Sequence, residues 1–433
     1  MTFEFLSIIK PKRNLKRNGL ILFFKKNANV LVPILVILIV VGLTLLNIEL
    51  NKKVVLEDQF AIRWNAAHYW MKEGWSPYSD QTQQEALKLL ENNNSLPNER
   101  EQGYFLDPAW IVYLFIPISF VPYPIAKAIW MMLTQLSIVA SFLLGIKLSG
   151  IRMNGIEKFF CCLLGVLFYP LVRASLSASM LPFFFMLILL AIQLALGGQG
   201  SQAGLLLLFA IWFNPVAILV VVFLLIYLGS KRDNSLARML LIGFGFLMIT
   251  TLILFPNWIQ QWFASIILLD PGLDWLDTPW TGIARAFPGA YTQVAIGLHL
   301  FSFIMLLVEW YGLGGKNDRG VQWKLMLTLV VTYFFNLYSD GSHLILIFPA
   351  YFLLFKYISE KWPVSGKILF WISYTGLIVL SWQLVADLFD GFPKEHAGFL
   401  LLVPSLIFLG LQYFRWWAIA SPKALVESKN NSY

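Results

Sequence analysis

Apolar runs of roughly 20 residues recur along the chain, each long enough as an α-helix to cross about 30 Å of hydrocarbon, and charged residues gather between them. The first runs from about Val30 to Ile48. Because these runs are continuous, they predict spanning helices and not the short alternating strands of an outer-membrane barrel. Two stretches break the pattern. "PAWIVYLFIPISFVPY", 108–123, is apolar but short and interrupted by Pro108, Pro117 and Pro122. Proline lacks an amide donor and ends helices, so a dipping or juxtamembrane element is expected there. In "AGLLLLFAIWFNPVAILVVVFLLIY", Asn214 and Pro215 split a run between two basic flanks, which predicts a pair of short helices meeting near the outer half. With that pair included, the pattern predicts an all-α polytopic membrane protein of about 12 helical crossings.

Lys and Arg accumulate in short cytoplasmic loops, so their positions orient the chain. Basic groups occur in 1–27, at Lys147, Arg152 and Lys158, at Lys231, Arg232 and Arg238, at Lys316, Arg319 and Lys324, at Lys356, Lys361 and Lys367, and at Arg415, Lys423 and Lys429. Placing these inside leaves both termini cytoplasmic: a basic N-terminus over 1–27, one transmembrane domain over 28–425 and a tail over 426–433. The first run is too long for a signal-peptide core and no small-residue cleavage site follows it, so it reads as a retained span. A large first loop, 50–123, then faces the outer compartment. Further outer segments fall near 173–180, 256–288, 338–343 and 389–397.

Composition agrees with this reading. Among 433 residues, 58% are hydrophobic and 13% charged, too little polar surface to cover a soluble globule. The net charge of +8 follows the loops, which argues against a nucleic-acid surface. Cys161 and Cys162 are adjacent in an apolar run and offer neither a disulfide framework nor metal spacing. No phosphate-cradling glycine loop, dinucleotide fingerprint, HExxH or GxSxG motif occurs, so nucleotide chemistry, a cofactor and a metal are not expected.

Chemistry is concentrated in "LEDQFAIRWNAAHYWMKEGWSPY", 56–78. A helix is predicted from about Asp58 to Glu73, stopped by Gly74 with Pro77 beyond. Phe60, Trp64, Ala67 and Met71 form one apolar stripe, and with Trp70, Trp75 and Tyr78 they predict a helix lying at the membrane interface. Asp58 reads either as the cap of that helix or as a carboxylate held at the outer surface for proton transfer. In "NLYSDGSHLILIFP", 336–349, Asp340 and His343 fall in an outer turn, where the histidine orients a carboxylate, titrates, or simply belongs to the turn. The outer cations are Lys52, Lys53, Arg63, Lys127, Arg173 and Arg285. Arginine grips phosphate bidentately, so Arg63, Arg173 and Arg285 are the better phosphate ligands, with snorkelling to headgroups as the ordinary alternative. Asp270, Asp274 and Asp277 are further outer carboxylates, and Asn93-Asn94-Ser95 matches a glycosylation sequon within a polar loop, 90–103.

The order of Asp58 just outside the first span, a helix with Ala66 and Ala67, then Gly74 and Ser76-Pro77-Tyr78 resembles the polyprenyl-phosphate-mannose-dependent mannosyltransferases of glycosyltransferase family 87. The proline-punctuated element from Pro108, "PIAKAIW" entering the next span and the late His-bearing turn extend the likeness over about residues 50–350. The resemblance implies a GT-C glycosyltransferase fold in the plasma membrane with its active site on the outer face, in the first loop and its juxtamembrane helices. It implies Asp58 as catalytic base with His343 assisting; Arg63, Arg173, Arg285, Tyr78 and Asp340 are the expected substrate contacts beside them. The implied donor is a sugar, mannose by inheritance, on a polyprenyl phosphate, and the acceptor is a glycan or glycolipid hydroxyl among the membrane lipids. Two departures stand out: relatives carry Gly-Gln where this chain has Ser177-Ala178-Ser179, and Lys-Pro where it has Asn214-Pro215. A secondary transporter or flippase of a lipid-linked sugar also uses broken helices, but it places polar groups at the midplane, whereas here they gather at one face. A structural or assembly subunit would need no carboxylate at Asp58.

Overall fold

The computed structural model describes residues 28–54, 56–93, 95, 103–213, 217–269, 278–311, 318–335, 341–389 and 398–419. The basic stretch 1–27, the tail 426–433, Asn214, Pro215, Asp270, Asp274, Asp277 and Asp340 lie outside them. Every regular element among the described residues is helical.

Helix α1 (Ala28–Asn51) is an apolar span whose Ile34, Leu35, Ile37 and Leu38 are exposed, as lipid-facing side chains are. A reciprocal amide pair fastens it to its neighbour: Asn47 Nδ2 donates to Gln135 Oε1 at 3.2 Å and Gln135 Nε2 to Asn47 Oδ1 at 2.9 Å. Polar side chains paired in this way bind helices together where hydrocarbon offers no competing partner.

The first loop folds into short helices packed on one another: α2 (Gln59–Glu73), α3 (Asp80–Asn92), a 3-10 turn (Ala109–Ile111) and α4 (Val112–Ser119). The proline-broken stretch is therefore no span, as its sequence predicts. Asp58 caps α2 and Gly74 ends it in the left-handed region at φ 72, which a side chain would strain. The burial of α2 differs from the expected surface stripe. Phe60 through Ala67 are buried on every side, including Arg63 and Asn65, while Met71 is exposed. The aromatic ring of Phe60 explains this. It stacks on Trp130 at 5.5 Å and Tyr123 at 6.2 Å and meets Phe115 edge-on, each contact contributing about 1 kcal/mol beyond its area. Trp64 Nε1 and His68 Nδ1 donate to the carbonyls of Ile118 and Ser119 at the end of α4, and Asn65 Nδ2 to that of Thr82 in α3.

Helix α5 (Tyr123–Ser149) is the longest described span beside the loop, about 40 Å by its rise per residue. The next two helices, α6 (Gly155–Val166) and α7 (Tyr169–Leu176), form one path bent by 63°, with Pro170 in the first turn after the break. Helix α8 (Leu181–Leu196) leads to the short pair α9 (Gly200–Phe213) and α10 (Ile218–Ser230). Gly200 lies against Ser235, which opens α11 (Ser235–Leu254), so both ends of the pair meet at one end of the bundle. A hairpin that leaves and returns was the sequence expectation.

The remainder comprises α12 (Trp258–Leu269), α13 (Pro279–Ala284), α14 (Tyr291–Tyr311), α15 (Asp318–Phe334), a 3-10 segment (Gly341–Ile347), α16 (Phe348–Lys361), α17 (Pro363–Phe389), α18 (Gly398–Tyr413) and α19 (Arg415–Ile419). Helix α15 is the centre, with Met326, Leu327, Leu329, Val330 and Val331 at zero exposure. Six helices among the described residues are long and apolar enough to cross a membrane, or seven with the bent α6–α7 path counted. Five further apolar helices among the described residues are shorter, 10–17 residues each.

Candidate active site

Asp58 is completely buried, and its four polar contacts come from two helices. Oδ1 accepts the Phe60 and Ala61 amides at 3.1 and 3.0 Å, which satisfies the open donors at the start of α2. Oδ2 accepts the Tyr123 hydroxyl and lies 2.7 Å from Lys127 Nζ. Tyr123 and Lys127 are four residues apart and so share one face of the first turns of α5. Lys127 is itself 6% exposed. Its second contact is the Ser95 hydroxyl at 3.4 Å. That hydroxyl belongs to the sequon, and Ser95 is buried. Asp58 is thus both a helix cap and half of a buried ion pair.

The turn between α7 and α8 closes this centre from the side. Gln59 N donates to the Ser177 carbonyl at 3.4 Å, Ser179 Oγ donates to Gln59 Oε1 at 3.1 Å, and Thr134 Oγ1 of α5 donates to the Ser179 carbonyl at 3.1 Å. Ala178, buried between them, has φ 50. The three-residue stretch where the family pattern differs therefore touches the first residue of α2.

Two of the sequence-predicted phosphate and substrate contacts, Arg63 and Tyr78, are engaged with Asp107. Arg63 donates from Nε to Asp107 Oδ2 at 2.7 Å and from Nη1 to the Gln59 carbonyl at 2.6 Å, and it is 7% exposed. The Tyr78 hydroxyl donates to the Asp107 carbonyl at 2.7 Å. Burial, with the Asp107 carboxylate nearby, pushes the Tyr78 phenol well above its ordinary value, so it stays protonated. Both side chains hold the segment before Pro108 in place.

Arg173 of α7 lies 3.7 Å from Glu57 Oε1, one residue from Asp58, with about a third of each side chain exposed. It is the predicted arginine that the structure keeps beside the centre. Arg285 follows α13, whose main neighbours are α14, α15 and α18. His343 is buried in the 3-10 segment with its ring 5.3 Å from Phe185 of α8. Gly145 of α5 packs on Pro349, at the start of α16. The path from Lys127 to Gly145 along α5 is about 27 Å, and the residues from His343 to Pro349 recover at most about 12 Å, which leaves His343 on the order of 15 Å deeper.

The partners that sequence reasoning missed are Tyr123 and, as a partner of Asp58, Lys127. A tyrosine and a lysine at helical spacing in "YPIAKAIW" were the available signal. Searched against protein-family models and against curated proteins, the chain matches none.

Proposed function

We propose that the protein is an integral-membrane glycosyltransferase that moves a hexose, mannose by the family resemblance, from a polyprenyl phosphate to an acceptor hydroxyl at the outer face of the membrane. The observation that carries the reading is the buried cluster of Asp58, Tyr123 and Lys127. It sets beside each other the two groups this chemistry needs, a carboxylate to take the acceptor's proton and a cation to receive the leaving phosphate.

In this mechanism the donor phosphate draws Lys127 away from Asp58, which uncovers Oδ2. The acceptor hydroxyl gives its proton to Oδ2 as its oxygen attacks the anomeric carbon. The bond from that carbon to the phosphate oxygen breaks, and its electron pair leaves with the lipid phosphate beside Lys127. A single displacement inverts the anomeric centre, so a β-linked donor gives an α-linked product. Arg173, partly exposed next to Glu57, is placed to meet the same phosphate.

The saturated contacts of Asp58 favour a second reading, in which the cluster only pins α2 to α5. Purified protein, synthetic polyprenyl-phosphate mannose labelled in the sugar and an acceptor extract separate the two. Asparagine still caps a helix. Asp58→Asn is therefore expected to keep the fold and lose transfer by a factor of about 100 or more. The neutral pair Asp58→Asn/Lys127→Met removes the stranded cation and is expected to be equally inactive. Normal turnover in that folded double variant would leave only the pin.

A further inference from the structure

At the end of the bundle opposite Asp58, a cavity of about 800 Å³ opens where α5 ends, α6, α15 and α17 begin and α16 ends. Charge bias reads this end as cytoplasmic. Three of the basic groups that the sequence scatters over more than 200 positions converge here. Four cations, Arg152, Arg319, Lys356 and Lys367, line the cavity against two carboxylates, Glu157 and Glu360.

The pairing within the cavity leaves cationic charge over. Arg319 Nη2 is 2.6 Å from Glu360 and Lys367 Nζ is 3.3 Å from Glu157. Arg152 and Lys356 have no salt bridge among the described residues. Lys356 is held inward by neutral groups: Nζ donates to Gln322 Oε1 at 3.1 Å, while the Gln322 amide donates to the Leu148 carbonyl. Gly150 ends α5 at φ 65, and a side chain there would start 3.2 Å from Lys356 Nζ, so glycine makes room for the ammonium. The Arg319 guanidinium also lies 5.5 Å from the centroid of the buried Tyr357 ring. Two cations without a salt bridge in one concavity fit an anion with several acceptor oxygens.

The flanks indicate how such an anion arrives. Phe370 and Trp371 form an apolar wall of the cavity. On the neighbouring face of α17, Val364, Ile368 and Ile372 are exposed, as are Ile156 and Phe159 of α6, the helix joined to α17 by the Lys367–Glu157 bridge. Apolar surface beside a basic pocket suits a headgroup whose chains stay in the bilayer.

We propose that this cavity binds a phosphate anion, presented by the headgroup of an anionic phospholipid. The proposal is independent of the glycosyltransferase reading. Native mass spectrometry of the full chain in mild detergent tests it with three probes: short-chain phosphatidylglycerol, phosphatidylcholine of equal chain length and inorganic phosphate. The wild type is expected to bind phosphatidylglycerol in preference to phosphatidylcholine. Arg152→Gln/Lys356→Gln is expected to bind phosphatidylglycerol about tenfold more weakly. Lys361→Gln, which removes a nearby cation outside the cavity, is expected to leave binding unchanged. Equal affinity in the wild type and the double variant overturns the site, and an equal loss in Lys361→Gln reduces it to diffuse surface charge. Inorganic phosphate bound as tightly as the lipid overturns the lipid as source.

Discussion

Ala178 occupies the left-handed region at φ 50 while fully buried, a conformation that glycine adopts freely and alanine resists by about 1 kcal/mol. Ala178→Gly is therefore expected to raise the thermal unfolding temperature of the detergent-solubilised protein, and a lowered one would show that the methyl packing outweighs the strain. One position on, at Ser179, the same turn holds Gln59. Lys127 has the opposite character. Lys127→Met strands the Asp58 carboxylate in a closed site, which is expected to cost about 3–5 kcal/mol, and adding Asp58→Asn is expected to restore much of that loss. A thermal-unfolding cycle over the two single variants and the double variant measures the coupling. The cap itself was legible, because capping depends on the identity of one residue and the helix it precedes. The ion pair was not, because Lys127 was one of several outer cations and the sequence ranks the arginines above it.

Among the elements, α2 shows where local reading succeeds and where it stops. Its start at Asp58 and stop at Gly74 are set by backbone chemistry written within a few residues, and the structure has both. Its environment is set by distant residues: Ile118 and Ser119 receive its side-chain donors, and Asp107 receives Arg63. A stripe of apolar positions cannot announce that protein, and not lipid, will cover the other face as well. Arg63 is accordingly expected to behave as a support. Arg63→Gln leaves Asp107 with a weaker partner and is expected to lower stability by about 2 kcal/mol, with the donor KM unchanged in the folded fraction. A raised KM with unaltered stability would return Arg63 to the phosphate. The α9–α10 hairpin was legible for a different reason: two basic flanks demanded that an interrupted run come back to its own side.

For the molecule as a whole, the charge pattern makes two ends with distinct chemistry, the Asp58 centre and the basic cavity, joined by α5. Orientation follows if the basic end is cytoplasmic. A membrane-impermeant maleimide applied to intact cells is expected to label Lys72→Cys, exposed near the end of α2, and to label Lys361→Cys only after permeabilisation. The native Cys161 and Cys162 are buried and are expected to stay silent. The reverse labelling would invert the topology. The helical membrane class was legible throughout, since it rests on lengths and composition that no tertiary contact alters. The convergence of Arg152, Arg319 and Lys356 was not, since it depends on which helix ends meet. One consequence concerns the order of synthesis. Asp58 leaves the ribosome ahead of Tyr123, with 65 positions between them. Until the second long span is in place, the carboxylate has neither its hydroxyl nor its ammonium partner and must remain hydrated. The closing of that centre therefore waits for α5, and a chain halted before α5 would present α2 uncovered to whatever quality control patrols that compartment.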